Sequence, residues 1–345
     1  MKHPLTADRT KCIQYSFDVC KHLVSGIGNI RRVEGSLGWG QTDGSHHIGS
    51  SALTTSSLEH MLTDSQLTKY REKGYTLYPG LFTEKEVSVI LSEIDSISAG
   101  NTLESHDRNR LEMEPRQQAN GTLVRRIYDP CTHYPQFRTL SESEKLLNCV
   151  EKLLSPNLLF HYSKINMKLP AVGSPVEWHQ DLTYYPLTNR DSVAVLIYLD
   201  HADRENGCLR VIPGLHLDPC LDHTLNGFFQ GRITQPIDET FAELLEERAG
   251  SAVFVHSMTP HASVTNTSNR PRRTLILSYR AADAYPIYAG ESTIRSEAHV
   301  RLVRGERLRQ ARFSMRDFPI PEQRRTTASL YELQELSHKE GNATS

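Results

Sequence analysis

The sequence is poor in cysteine: six in 345 residues (Cys12, Cys20, Cys131, Cys149, Cys208 and Cys220), with no Cys-x-x-Cys pair and no dense cluster. Neither a disulfide framework nor a cysteine zinc site is expected, and reduced thiols are the simpler reading. Charge of one sign is also lacking. Lys and Arg total 39 against 41 Asp and Glu, a net charge of −2, which argues against a nucleic-acid partner. No apolar run is long enough for a transmembrane helix, and the first residues, with Asp8 and Asp18 among them, lack the apolar stretch of a secretory signal. Gly-x-Gly-x-x-Gly, Walker A and Gly-x-Ser-x-Gly patterns are all absent, so dinucleotide, nucleoside-triphosphate and serine-hydrolase chemistry have no motif to support them. What remains is a soluble, cytoplasmic protein whose partner is a small molecule rather than a nucleic acid or a membrane.

Three regions differ in character. Residues 1–60 read as an extension, with a Gly-, Ser- and Thr-rich linker over 35–57 that carries His46-His47. Residues 61–290 carry the periodic patterns of a folded domain. Thr63-x-x-Gln66, Thr83-x-x-Glu86 and Ser141-x-x-Glu144 each fit a capping box, where side chains satisfy the free amides of a helix start. Val87, Ile90, Leu91, Ile94 and Ile97 then recur at helical spacing, as do Leu146, Leu147, Val150, Leu153 and Leu154. From residue 158 the period shortens. Segments 159–169, 192–199, 208–213, 251–256 and 273–280 are rich in β-branched or large apolar residues and read as strands, predicting an all-β core with flanking helices. Residues 217–250 are long for a connection and are expected to form a lid with a helix near 240–248. Residues 291–345 form a basic tail, in which Arg295, Arg301, Arg304, Arg307, Arg309, Arg312 and Arg316 read as a solvated helix face balanced by Glu297 and Glu306. Its alternative is a phosphate- or CoA-binding surface.

Chemistry concentrates in Pro175-Val176-Glu177-Trp178-His179-Gln180-Asp181-Leu182. His179 and Asp181 stand two apart and leave the same face of an extended strand, supplying two thirds of a 2-His-1-carboxylate set, which holds Fe(II) with coordination positions open. Two further His-x-Asp pairs, His201/Asp203 and His216/Asp218, fall in turn-like sequence and are set aside. The third ligand must come from a later strand. His256 and His261 both follow Ser251, and His261 is the better choice because Ser263 and Arg272 come after it. A dicarboxylate cosubstrate that chelates iron through its 2-oxo acid end needs a cation at its far carboxylate, and the planar fork of Arg suits that pairing.

These motifs, together with Asn206-Gly207-Cys208-Leu209, Ile212-Pro213-Gly214-x-His216 and His261-x-Ser263-x-x-Asn266, resemble the phytanoyl-CoA dioxygenase family over residues 62–285. The resemblance implies a double-stranded β-helix (jelly-roll, cupin-like) and a non-haem Fe(II) enzyme with 2-oxoglutarate and O2 as cosubstrates. It further implies His179, Asp181 and His261 as metal ligands and Arg272 with Ser263 on 2-oxoglutarate. Arg126, Lys164 and Gln180 fall where further cosubstrate contacts are expected. The family's phytanoyl-CoA hydroxylase has a Trp on the strand after His-x-Asp, where this chain has Ile197. The expected reaction converts 2-oxoglutarate to succinate and CO2 while a C–H bond of a small organic molecule is hydroxylated, as in secondary metabolism. Halogenating relatives replace the ligand carboxylate with a small residue, and Asp181 keeps it. Tyr184, Tyr185 and Pro186 are placed to wall the substrate space. An acyl-CoA 2-hydroxylase and a non-catalytic cupin-like binding protein are the alternatives.

Overall fold

The computed structural model describes residues 60–170, 172–287, 297–323 and 329–343; the expected linker at 35–57, His46-His47 and Arg295 lie outside them. The chain opens with α1 (Asp64–Lys73), β1 (Tyr75–Tyr78) and α2 (Glu84–Ser98). The capping boxes of Thr63 and Thr83 both form. The third does not form: after β2 (Leu111–Met113), β3 (Val124–Tyr128), α3 (Pro130–His133) and α4 (Pro135–Ser141), it is Ser143 that precedes α5 (Glu144–Leu153), and its side chain makes no capping hydrogen bond. Ser141 instead ends α4, where its hydroxyl donates to the Arg138 carbonyl at 2.7 Å.

The strands follow as β4 (Leu158–Lys168), β5 (Val176–His179), β6 (Ser192–Tyr198), β7 (Leu209–Val211), β8 (Thr224–Leu225), β9 (Phe228–Phe229), β10 (Glu243–Leu245), β11 (Ala252–His256), β12 (His261–Ser263), β13 (Arg272–Ala281) and β14 (Arg301–Arg304); α6 (Leu330–Ala343) closes the described chain. They form a large antiparallel sheet in the order β1-β11-β6-β13-β4-β3-β2, with β14 also on β4, and a small sheet β10-β7-β12-β5. The large sheet is buried on both faces, which is why β6 is apolar from Val193 onward rather than alternating. On one face Val193, Val195, Ile197, Leu275 and Leu277 pack with Val87, Ile90 and Ile94 of α2 and Leu146, Leu147 and Val150 of α5. On the other, Ala194, Leu196, Tyr198, Val253 and Ile276 meet Leu209, Val211 and Leu245 of the small sheet. Ile197 therefore faces the helices, and its neighbours Leu196 and Tyr198 face the inter-sheet space; side chains alternate along a strand, so one position decides the face.

Two expectations fail on local grounds. Residues 240–248 form a 3-10 turn (Glu239–Phe241) and β10 rather than a helix, because pairing with β7 supplies their backbone partners. The basic tail is likewise not a solvated helix face. Arg301 and Arg304 lie on β14, ion-paired with Glu142 and with Glu144 and Glu151, and Arg312 pairs with Asp191 and Asp283.

Candidate active site

Three ligand-type side chains converge between the sheets. β5 delivers His179, the 3-10 turn Asp181–Thr183 delivers Asp181, and β12 pairs with β5 so that His261 stands directly opposite His179. All three are buried. The Asp181 Oδ1 atom lies 3.6 Å from His179 Nε2 and 3.8 Å from His261 Nε2, and one ligand atom from each residue falls within 4.8 Å of the others. His179 Nδ1 sits 2.8 Å from the Glu177 carbonyl and His261 Nδ1 sits 3.0 Å from that of Thr259. A carbonyl accepts only from N–H, so both protons are held on Nδ1 and both Nε2 lone pairs are left for a metal. Burial and the neighbouring His179 push His261 down to about 4, which keeps it neutral as a ligand. Burial by itself would raise the Asp181 carboxyl; His261, His179 and Lys164 hold it well below its ordinary value. The donor set fits Fe(II).

A cavity of about 490 Å³ opens beside this cluster, walled by Tyr184, Tyr185, Pro186 and Phe229, with Arg126, Lys164, His179 and Asp181 also in its lining. Lys164 Nζ faces it with no hydrogen bond or ion pair among the described residues, and burial lowers its pKa to about 8. Arg126 donates from Nε to Asn166 at 2.9 Å and lies under the Tyr331 ring of α6 at 4.7 Å, while one of its terminal nitrogens has no acceptor. Gln180, Ser263 and Arg272 are buried outside the cavity wall. The Gln180 carboxamide donates to the Met258 carbonyl at 2.6 Å and accepts from Leu221 N–H at 2.8 Å, tying the turn between the ligands to the 217–250 segment.

Arg272 donates to Thr274 Oγ1 at 2.9 Å and to the Gly207 carbonyl at 2.6 Å, and its Nε lacks an acceptor. It stands opposite Lys168 in the β13–β4 register. Lys168 Nζ is held by the carbonyls of Ser174 and Val264, both at 2.6 Å, and by that of Ser263 at 3.5 Å. Two buried cations thus lie side by side with no carboxylate among their described partners, and burial with the Arg272 charge pushes the Lys168 amine well down. Unpaired buried charge is costly, so the site fits an incoming dicarboxylate such as 2-oxoglutarate.

Sequence reasoning missed two contributors. His223 accepts from the Gln180 N–H at 3.1 Å through Nε2, bracing the ligand turn from the 217–250 segment. The C-terminal part supplies Glu297, His299, Leu330 and Leu333 to the cavity wall. Gln334 of α6 and Tyr184 both donate to the Gly231 carbonyl at 2.6 Å, so three distant segments meet there. Only the Asn226-Gly227 pair, which makes the two-residue β8–β9 turn with both residues at positive φ, signalled this local structure in sequence.

The profile of the phytanoyl-CoA dioxygenase (PhyH) family matches residues 70–274. The chain belongs to this family. It is 34% identical over 229 residues to the probable alpha-ketoglutarate-dependent hypophosphite dioxygenase of Stutzerimonas stutzeri, covering 64% of this chain and 80% of that protein. It is 30% identical over 251 residues to the methylphosphonate hydroxylase of Gimesia maris, covering 72% and 93%. Among solved structures, EctD from S. alaskensis with bound Fe gives a TM-score of 0.57 at 19% identity, covering 71% of this chain and 87% of that one. The epimerase SnoN in complex with Fe3+, alpha ketoglutarate and nogalamycin RO gives 0.55 at 20%, covering 73% and 95%; both likenesses concern the fold. The protein is an Fe(II)- and 2-oxoglutarate-dependent dioxygenase acting on a small molecule. Among the described residues no helix is long and apolar enough to cross a membrane.

Proposed function

We propose that the protein hydroxylates a C–H bond of a small organic phosphonate, with release of succinate and CO2. The carrying observation is the Lys164 amine, which has no hydrogen bond or ion pair among the described residues and lines the cavity beside Asp181, with Arg126 in the same wall. An anionic substrate answers that charge, and the two relatives described above are named for hypophosphite and methylphosphonate. In this reading His179, Asp181 and His261 hold Fe(II), Arg272 with Ser263 receives the far carboxylate of 2-oxoglutarate, and Arg126 and Lys164 complete the anion-binding wall. Gln180 acts by holding the turn that carries Asp181. Iron with 2-oxoglutarate and O2 supplies the oxidation; the chain supplies orientation, counter-charge and exclusion of water.

The two facing sheets are read as the halves of a double-stranded β-helix, with residues 61–290 as the oxygenase domain, 1–60 as an extension and the C-terminal segment as a cover to the cavity. The four described cysteines are free, in keeping with a cytoplasmic setting. An acyl-CoA substrate is less well supported, because Arg301, Arg304 and Arg312 are already committed to carboxylates. The test is anaerobic titration with Fe(II) and then 2-oxoglutarate, followed by succinate release with methylphosphonate. A visible charge-transfer band that needs both additions and disappears in His179→Ala is expected. Succinate release coupled to an acyl-CoA but not to methylphosphonate would overturn the substrate reading.

A further inference from the structure

The cavity floor carries polar groups that the dioxygenase chemistry leaves unused. His161 is fully buried in β4, and neither ring nitrogen has a hydrogen-bond partner. Its ring lies edge-on to Tyr185, with centroids 4.5 Å apart. The Tyr185 hydroxyl, in the same cavity wall, is turned toward the hydroxyls of Ser278, Ser192 and Tyr162, and the two serines lie behind that wall. These residues come from β4, the turn after Asp181, β6 and β13, so the cluster is assembled by the tertiary fold. Arg280, two residues beyond Ser278 on β13, is neutralised by Glu297 through contacts of 2.8 and 2.7 Å, and its Nε is also without a partner. Buried polar groups are almost always paired, and several orphans in one place mark a site whose partner is a ligand.

We infer that His161 and Tyr185 form the seat for the oxygens of the substrate's phosphonate head, with Lys164 supplying the opposing charge. This rests on the phosphonate-hydroxylase reading. The chemistry matches in kind and number. A neutral imidazole gives one N–H, the Tyr185 hydroxyl one O–H and the Lys164 ammonium three N–H donors. A phosphonate presents three acceptor oxygens, each able to take more than one bond. A carboxylate presents two in a plane and leaves donors unpaired. The seat lies close enough for the Asp181 charge to act on His161 and Tyr185, so the substrate's carbon end is brought toward the metal ligands.

Full-length protein, loaded anaerobically with Fe(II) and 2-oxoglutarate, is titrated calorimetrically with methylphosphonate and with acetate. The variants are His161→Phe and Tyr185→Phe, each checked by the 2-oxoglutarate charge-transfer titration. The inference expects methylphosphonate affinity to fall at least tenfold in each variant while the 2-oxoglutarate midpoint stays within twofold, and acetate to bind at least tenfold more weakly than methylphosphonate to the parent protein. Variants that keep methylphosphonate affinity within twofold, or that lose 2-oxoglutarate equally, overturn it. A parent protein that shows the band but takes no methylphosphonate overturns the seat and the phosphonate reading while the oxygenase assignment stands. Absence of the band in the parent protein overturns the reading beneath both.

Discussion

Replacing Arg272 by leucine isolates the proposed cosubstrate clamp from the metal centre. In the parent protein its guanidinium donates to Thr274 and Gly207 and has a free Nε, and Lys168 sits beside it. Loss of one partner of a buried charge pair costs about 3–5 kcal/mol. At about 1.4 kcal/mol per decade, the affinity for 2-oxoglutarate should fall by about two to three and a half decades. The fold should survive, because the substitution also removes a positive charge from beside Lys168, which keeps its own three carbonyl contacts. Fe(II) affinity should stay within about threefold, since His179, Asp181 and His261 keep their geometry and Nδ1 contacts. The assay is anaerobic: iron binding by competition with a chelator, then 2-oxoglutarate titration of the iron-loaded protein by its charge-transfer band. A midpoint within threefold of the parent value would refute the clamp, and equal loss of iron and cosubstrate would show that Arg272 acts through the fold.

Gly207 has φ +77 and a side chain there would meet the Val264 carbonyl at 2.4 Å, so Gly207→Ala should lower thermal stability by several degrees and weaken 2-oxoglutarate binding, read by melting and the same titration. Tyr331 covers Arg125 at 4.4 Å and Arg126 at 4.7 Å; Tyr331→Leu should speed amide exchange in α6 about tenfold, at roughly 1–2 kcal/mol for the lost cation–π contacts, with β13 amides unchanged. Burial pushes His256 and His223 down to about 3 and about 4, and both accept backbone N–H bonds that protonation would break. Depressed folded values mean that this stability is present above about pH 6.5 and is lost as pH falls toward 4. Urea midpoints of metal-free protein should therefore drop over that interval, and flat midpoints from pH 7 to 4.5 would contradict the assignment.

The sequence by itself determined the elements with strong local signals. Thr63 and Thr83 cap helices because the reciprocal bonds span three residues, and β6 and β13 are strands because their apolar runs fit a sheet buried on both faces. His179 and Asp181 are legible as a pair because they are two apart, and His261 as the histidine of a later strand that joins them. Where local signals competed, tertiary structure decided. Residues 240–248 became a strand because β7 offered partners, and Arg301 and Arg304 left the solvent because Glu142, Glu144 and Glu151 lie within reach of β14. The Lys168–Arg272 pair, the His161–Tyr185 contact and the cover from α6 join residues tens to hundreds of positions apart. No periodicity or spacing records such meetings, because burial and convergence belong to the packed chain rather than to any segment of it.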